Sequence, residues 1–377
     1  MSAPVVKGWC PGAYHPMMSG DGLVIRVRPR LARLEREQVL GLCDLSQTYG
    51  NGFIDLTNRA NLQIRGVSAT DHDTLLQALA RLGLLDDDPM LESRRNILVQ
   101  PFWQAGDLTE RLARAVLASL SELPDLPAKV GFAIDTGSTA VLSGASADFR
   151  LELSTEGLIL RADGCAKGRS VTEETALVAV IEMAQWFNER RTQEMRRMAS
   201  VVARHALPED WTCIPPHAVT TQVPQPGQTE IGALVGAAFG QIDATALEQT
   251  IRKNKIQGLR VTPWRLFLLE GAASVHCNEF VTSQYDPLLQ THACPGAPYC
   301  PQASVETRSV ATQLAGQVDG ILHVSGCAKG CAFPKQADFT LVGREGLFDL
   351  VRNGASWDEP THYGVAPDAM PALAKLT

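Results

Sequence analysis

Near the C-terminal end of the sequence, four cysteines stand in two close pairs. Cys294 and Cys300 enclose Pro-Gly-Ala-Pro-Tyr, and Cys327 and Cys331 enclose Ala-Lys-Gly. Four thiolates are the number that holds a cubane iron–sulfur cluster, whose potential follows net charge and hydrogen bonds to sulfur. Pro295, Gly296, Pro298, Pro301, Gly326 and Gly330 flank the pairs. Such residues suit loops that bend tightly around a cluster and aim N–H groups at its sulfurs. A structural zinc site is the competing use of four cysteines, but its knuckles are usually C-x2-4-C, narrower than the Cys294–Cys300 gap. Disulfides suit an oxidising compartment. The start of the chain, Met-Ser-Ala-Pro-Val-Val-Lys-Gly-Trp-Cys, has neither an apolar core nor a cleavage signature, so a cytoplasmic location is expected. A 4Fe–4S cluster on Cys294, Cys300, Cys327 and Cys331 is therefore the expected chemistry.

The remaining cysteines read differently. Cys43, Cys213 and Cys277 sit in apolar or mixed surroundings and read as packed core thiols. Cys165 lies in Gly-Cys-Ala-Lys-Gly-Arg, a near copy of Gly326–Cys331 in which Arg169 replaces the last cysteine. Without that partner it reads as inert. Cys10, in Trp-Cys-Pro-Gly, is left without a role.

The two halves also share a wider internal repeat. Ala147–Gly164 reads against Ala337–Gly354, each as alternating strands joined by a Glu-Gly turn, the pattern of a β-hairpin. Phe53–Gly66 reads against Gly258–Gly271, and each follows an amphipathic helix, over Leu34–Tyr49 and Ala244–Lys253. A helix from about Val171 to Arg204 closes the first copy, and the prolines between Pro215 and Pro226 form an extended connector. The expected fold is α+β and pseudo-two-fold: a ferredoxin-like piece over 1–72, an α/β piece over 73–210 and a linker over 211–228. A second ferredoxin-like piece follows over 229–285, then a second α/β piece over 286–377 that alone carries the cysteine pairs.

Composition bounds the partners. Apolar residues make up 45% and charged residues 20% of the 377 residues, the balance of a globular enzyme, and no apolar run is long enough to cross a membrane. A net charge of −7 argues against nucleic acid. Locally the sign reverses, with Arg26, Arg28, Arg30, Arg33 and Arg36 in one stretch and Arg59 and Arg65 beyond it. Such a cluster can draw a polyanionic small molecule to an acidic protein. No Gly-x-Gly-x-x-Gly follows a strand, so electrons are expected from a separate donor rather than a nicotinamide domain.

This layout resembles the sulfite/nitrite reductase superfamily over nearly the whole chain, with two pseudo-symmetric halves and C-x5-C … C-x3-C in the second. Arg26 and Arg28 match its Arg-x-Arg, and Thr57, Arg59 and Gln63 match its Thr-x-Arg-x-x-x-Gln. Its Leu-Pro-Arg-Lys-x-Lys, which clamps the oxyanion, is Leu126-Pro-Ala-Lys-Val-Gly131 here, so only Lys129 of that basic set is kept. Within the superfamily the chain is similar to the precorrin-3B synthase family. The shared phrases are Cys10-Pro-Gly, Pro16–Gly22, Thr262-Pro-Trp-Arg265, His323–Cys331, Leu341-Val-Gly-Arg and Leu350–Gly354.

That resemblance implies O2-dependent hydroxylation of precorrin-3A at C20 with γ-lactone formation, in cobalamin synthesis. It also implies a 4Fe–4S cluster, a mononuclear non-haem iron in place of sirohaem, and electrons from NADH through a reductase or ferredoxin. A pocket that grips carboxylates through forked guanidiniums would hold the macrocycle. Arg26, Arg28, Arg59, Arg65, Lys129, Arg265 and Lys329 are its candidates, with Arg59 and Arg265 in corresponding loops. Iron ligands are not assigned by the pattern. His323 is the foremost candidate, ahead of His15, His276 and His292, and Phe333 stands where relatives carry a histidine. No catalytic residue is assigned. A sirohaem-dependent sulfite or nitrite reductase, with Cys331 bridging to the haem iron, is the alternative enzyme. An iron–sulfur electron carrier or tetrapyrrole-binding scaffold is the alternative of another class.

Overall fold

The computed structural model describes residues 11–217 and 223–369. Cys10 and part of the proline-rich connector lie outside them. The first half begins with β1 (Met17–Ser19), β2 (Gly22–Val27), β3 (Arg33–Glu35), α1 (Arg36–Tyr49), β4 (Phe53–Leu56), β5 (Leu62–Val67) and α2 (His72–Arg81). It continues with α3 (Pro89–Arg94), β6 (Ile97–Val99), α4 (Leu108–Ala118), β7 (Phe132–Asp135), β8 (Phe149–Ser154), β9 (Gly157–Ala162), β10 (Arg169–Ser170), α5 (Glu173–Arg190) and α6 (Met198–Val202). The second half repeats the plan with β11 (Gly227–Thr229), β12 (Gly232–Gly236), β13 (Gln241–Asp243), α7 (Ala244–Lys253), β14 (Gly258–Val261) and β15 (Leu266–Glu270). It ends with β16 (Thr291–Ala293), α8 (Arg308–Leu314), β17 (Leu322–Ser325), β18 (Ala337–Arg344), β19 (Leu347–Gly354) and β20 (His362–Val365).

These strands form four sheets, two for each half, and the central pair exchange a strand. The first is ordered β1-β2-β5-β4-β13, and its counterpart β11-β12-β15-β14-β3. So β13 of the second half closes the first sheet, pairing Ile242 with Ile54, and β3 closes the other, pairing Leu34 with Leu259. Helices α1 and α7 pack against each other beneath both sheets. One hydrophobic core, including Ile25, Leu42, Ile64, Leu247, Ile251 and Phe267, spans both ferredoxin-like pieces. Each piece alone would lack an edge strand and half its core, so neither buries its apolar face without the other.

The outer sheets, β10-β9-β8-β7-β6 and β16-β17-β18-β19-β20, are mixed, with parallel β6–β7–β8 and β16–β17–β18. Parallel neighbours leave the loops after β6 and β7, and after β16 and β17, at one end of each sheet. The loops after β16 and β17 are the ones that contain the cysteine pairs.

Several sequence expectations shift at their ends. Helix α1 starts at Arg36 rather than Leu34, because the Gln38 side chain accepts the Glu35 N–H at 2.9 Å and Leu34 is already in the exchanged strand. The long helix expected from Val171 is two: α5 begins after Thr172, whose hydroxyl accepts the Thr175 N–H, and ends at Arg190, with short α6 after a break. The two hairpins also differ. Glu345 and Gly346 both adopt positive φ and form the tight turn between β18 and β19, whereas in the first half the turn residues are Thr155 and Glu156, with Gly157 already in β9. Cys213 is exposed rather than packed, its thiol donating to the Glu209 carbonyl at 3.2 Å, and Cys277 is half-buried; Cys43 is buried.

Candidate functional site

The four paired cysteines converge at one end of the last sheet. Cys331 senses Cys294, Cys327 and Cys300 electrostatically, and Cys294 senses Cys300 and Cys327, so the loops after β16 and β17 bring the two pairs together. Burial raises the Cys294 and Cys331 thiols above the ordinary value; N–H groups of Gly326 and Gly296 oppose this at Cys294, and the Lys329 ammonium opposes it at Cys331. The Gly326 N–H lies 3.2 Å from Cys294 Sγ. A side chain at Gly326 would meet Ala303 Cβ at 2.6 Å and Cys294 Sγ at 3.5 Å, so this position must be glycine for the loops to close. Among the described residues, no three His, Cys, Asp or Glu side chains gather closely enough to share a single ion. Four neighbouring thiols supply the ligand number of a 4Fe–4S cluster, which Cys294, Cys300, Cys327 and Cys331 could hold.

The first ferredoxin-like sheet holds the cysteine loop. The Tyr299 carbonyl, beside Cys300, accepts from the Gly20 N–H at 3.1 Å, the Ser19 hydroxyl at 2.7 Å and Arg65 Nη2 at 3.3 Å. Gly20 approaches so closely that an added Cβ would stand 2.2 Å from the Pro298 carbonyl oxygen. Arg65 also bonds Ser19 and Asp21, and its Nε lies 3.8 Å from Asp55. Asp55 in turn lies 3.7 Å from Arg308 at the start of α8. Burial raises the Asp55 carboxyl, since neither guanidinium hydrogen-bonds it closely.

Above this contact lies a polar face. Ile25, Ile54 and Ile64 point into the core, so the alternate positions Arg26, Gln63 and Asp55, in register across β2, β5 and β4, share the opposite surface. The basic residues singled out in the sequence divide among several environments. Arg26 lies buried in that face. Arg28 forms a fully buried ion pair with Glu92. Arg59 donates to the Lys129 carbonyl at 2.9 Å and lies 3.5 Å from the Ser146 hydroxyl. Lys129 is half-buried beside it, and Lys329 sits between Cys327 and Cys331.

Arg265, lowered by burial to about 10, donates to the Thr291 and Leu289 carbonyls at 2.7 and 3.1 Å. It occupies the left-handed turn position held by Ala60, not that of Arg59: Ala60 and Arg265 both have positive φ, and the Thr57 and Thr262 hydroxyls accept N–H groups at the same point of each turn. The loops correspond; the arginines do not.

His323 is fully buried, neither ring nitrogen has a hydrogen-bond partner, and it pairs in register with His292 on the parallel strand. Burial lowers His323 to about 4, and burial with Arg265, His323 and Lys335 nearby lowers His292 to about 3. The Phe333 ring lies 4.2 Å from the His292 ring. His15 and His276 join no such group. Two histidines without a nearby carboxylate do not make the facial set that a mononuclear oxygenase iron requires, so the residues described here do not fit that iron.

A ferredoxin-like sheet laid over a four-cysteine loop, and its counterpart laid over a loop without cysteines, define a nitrite/sulfite reductase-like protein. Residues 15–82 match the model of the nitrite/sulfite reductase ferredoxin-like half domain. The solved NirA protein of Mycobacterium tuberculosis superposes with a TM-score of 0.65 over 93% of this chain and 79% of its own, at 17% identity, which shows the shared fold. A ferredoxin–nitrite reductase of Synechococcus elongatus is 25% identical over 89% of this chain and 78% of its own. A precorrin-3B synthase from Sinorhizobium sp is 30% identical over 99% of this chain and 89% of its own. The chain belongs to the precorrin-3B synthase family, whose members, like the reductases, are enzymes.

What the sequence missed is the arginine–carboxylate latch: Asp55, Arg65 and Arg308, and in the second half Arg260 with Glu270. The signal was present in β5, where Gln63 and Arg65 alternate with Leu62 and Ile64, but alternation alone names no partner.

Proposed function

We propose that this chain is an oxygen-dependent monooxygenase that hydroxylates precorrin-3A at C20 and closes the γ-lactone, with a 4Fe–4S cluster held by Cys294, Cys300, Cys327 and Cys331. The observation that carries the reading is the contact of a polar, arginine-bearing sheet, through Arg65, Ser19 and Gly20, with the Tyr299 carbonyl beside Cys300. A macrocycle ringed by carboxylates suits such a face, and Arg26, together with Lys129 near Arg59 and Lys329 in the cysteine loop, would supply cations for them. In this reading Arg28, held by Glu92, Arg65, held at Tyr299 and Asp21, and Arg265, held at Thr291 and Leu289, support the pocket. When bound, the cluster would pass single electrons inward from an external reductase or ferredoxin. One oxygen atom of O2 becomes the C20 hydroxyl and the other leaves as water, with two electrons drawn from that donor and two protons from solvent.

The test begins with the visible spectrum of anaerobically purified protein, followed by incubation with precorrin-3A, a reductant and O2. A broad iron–sulfur envelope without sirohaem bands, and oxygen-dependent loss of precorrin-3A to a hydroxylated lactone, is the expected result. Sirohaem bands with turnover of nitrite or sulfite would overturn it in favour of the reductase chemistry named in the relatives. The four-cysteine reading would survive that outcome.

A further inference from the structure

In the first half, two deeply buried side chains carry donor atoms that have no partner. Arg95 and Asn61 are each 4% exposed, and neither Nη of Arg95 nor Nδ2 of Asn61 meets an acceptor within the protein. Both line one enclosed cavity of about 10 Å³, otherwise walled by apolar groups such as Leu31, Ile97 and Val99. Its volume admits one atom-sized guest. The charges around it do not cancel. Asp86 lies 3.2 Å from Arg95 Nε and is shared with the largely exposed Arg30 at 3.2 Å, and Glu92 is taken by Arg28, so buried Arg95 has only a shared counter-ion.

The second half shows what a dry version looks like. The positions of Asn61, Arg95 and Leu31 are occupied there by Leu266, Leu289 and Phe239; Leu31 and Phe239 share the same left-handed backbone. Leu266 and Leu289 pack in one apolar cluster, and Phe239 against the core of the last sheet. A buried guanidinium with unmade hydrogen bonds is destabilising, and the duplicate shows that leucine fits the junction.

We propose that the Arg95–Asn61 cavity binds a single monatomic anion, a halide. The cavity offers donors and a net positive charge, and has room for neither a carboxylate nor a phosphate. A water molecule would satisfy some of the donors and leave the charge unbalanced. A halide here ties the β4–β5 turn, which carries Arg59, to the start of β6.

The experiment is a crystal of the full-length protein grown in bromide, read by anomalous scattering, beside apparent Tm in chloride against methanesulfonate at equal ionic strength. An anomalous peak within hydrogen-bond reach of Arg95 Nη and Asn61 Nδ2, with Tm about 2 °C or more higher in saturating chloride, is expected. In Arg95→Leu/Asn61→Leu, which restores the leucines of the second half, the chloride dependence should vanish. If that variant does not fold, the bromide map of the wild type still decides. A cavity holding only water without anomalous signal, or equal Tm in the two anions, overturns the proposal.

Discussion

The two ferredoxin-like sheets are built to one plan and present opposite chemistry to the loops they cover. Across the first, the outward row is Arg26, Gln63 and Asp55; across the second, the same row is Leu234, Leu268 and Arg260. The first meets the Cys294–Cys300 loop at Tyr299 and α8 at Arg308. In the second, Leu234, Leu266 and Leu268 pack over Phe102 in the loop after β6, where Gln100 stands at the position of Cys294 and Gly137 at that of Cys327. Even the ion pairs are mirrored: Arg65 with Asp55 on one side, Glu270 with Arg260 on the other, polarity reversed. Both pairs do the same work, since Arg65 holds the Tyr299 carbonyl and Arg260 holds those of Pro101 and Trp103, each a backbone contribution from the opposite half. The duplication has thus kept its scaffold contacts in both copies and its polar face in one. A cavity of about 850 Å³ remains over the cysteine-free loops, lined by Gln100, Thr136, Ser138 and Glu230 without a single basic side chain. It is unsuited to a polycarboxylate.

The comparison breaks most visibly at sulfur. Cys294→Ser should abolish the iron–sulfur absorbance and lower bound iron and labile sulfide to near zero, because ligation and the folding of these loops are coupled. Cys165→Ser, between β9 and β10 and away from the counterparts of the cysteine loops, should leave all of these unchanged. Retention of the full spectrum in the Cys294 variant would end the assignment.

Next in size is the latch. In each half a further guanidinium reaches the carboxylate, Arg308 on Asp55 and Arg33 on Glu270. Burial pushes Glu270 up, but hydrogen bonds from Arg33 and Arg260 outweigh it and hold its carboxyl low. Removing Arg260 leaves Glu270 with Arg33 alone and frees the Pro101 and Trp103 carbonyls, so Arg260→Met should destabilise by about 1–3 kcal/mol. Arg65→Met, whose Asp55 contact is longer, should destabilise less and change the cluster's redox potential or EPR line shape through the Tyr299 loop. Inverting the second pair, Arg260→Glu/Glu270→Arg, should not restore stability, because Arg33 would then face a second guanidinium where its carboxylate partner had been. A full rescue in denaturant unfolding would show that only the pair matters.

A smaller effect separates the two faces in binding. Arg26→Ala should weaken macrocycle affinity about 10–100-fold, the loss of a charged hydrogen bond in a buried setting, with iron content unchanged. Leu234→Ala, at the equivalent place in the other sheet, should reduce stability but not affinity. Equal loss of affinity in both would mean that the macrocycle does not use the polar face.

Much of this architecture is legible in the sequence alone. The repeat pairs Phe53–Gly66 with Gly258–Gly271 in the register the strands adopt, and Ala244–Lys253 is helical to the residue, because local periodicity is set by local burial. The cysteine loops announce themselves by residue type and spacing. The strand exchange does not: β3 and β13 are three residues each, too short for a pattern, and their partners lie in the other half. Guanidinium roles are likewise hidden. Arg28 and Arg26 look alike in Arg-x-Arg, and only Glu92, far along the chain, distinguishes them.

The histidine pair offers the finest test of how the halves differ. His292 and His323 occupy the positions of Leu98 and Ala133, both buried in the shared core. In the unfolded chain His323 ionises below its ordinary 6.5, whereas in the folded protein burial keeps it neutral until about 4. The unfolded state therefore binds more protons between those values, so stability falls as pH drops through that window, by up to about 1.4 kcal/mol per pH unit for one histidine. Arg265 and Lys335, which face His292, add to the penalty for any positive charge there. His323→Ala, which installs the first half's residue, should lower apparent Tm slightly at pH 8 through lost packing. It should also lose less on going from pH 6.5 to 5, so that the two curves converge. Parallel curves would mean that His323 is already free to protonate in the folded state, and that its burial among apolar groups is relieved by a partner.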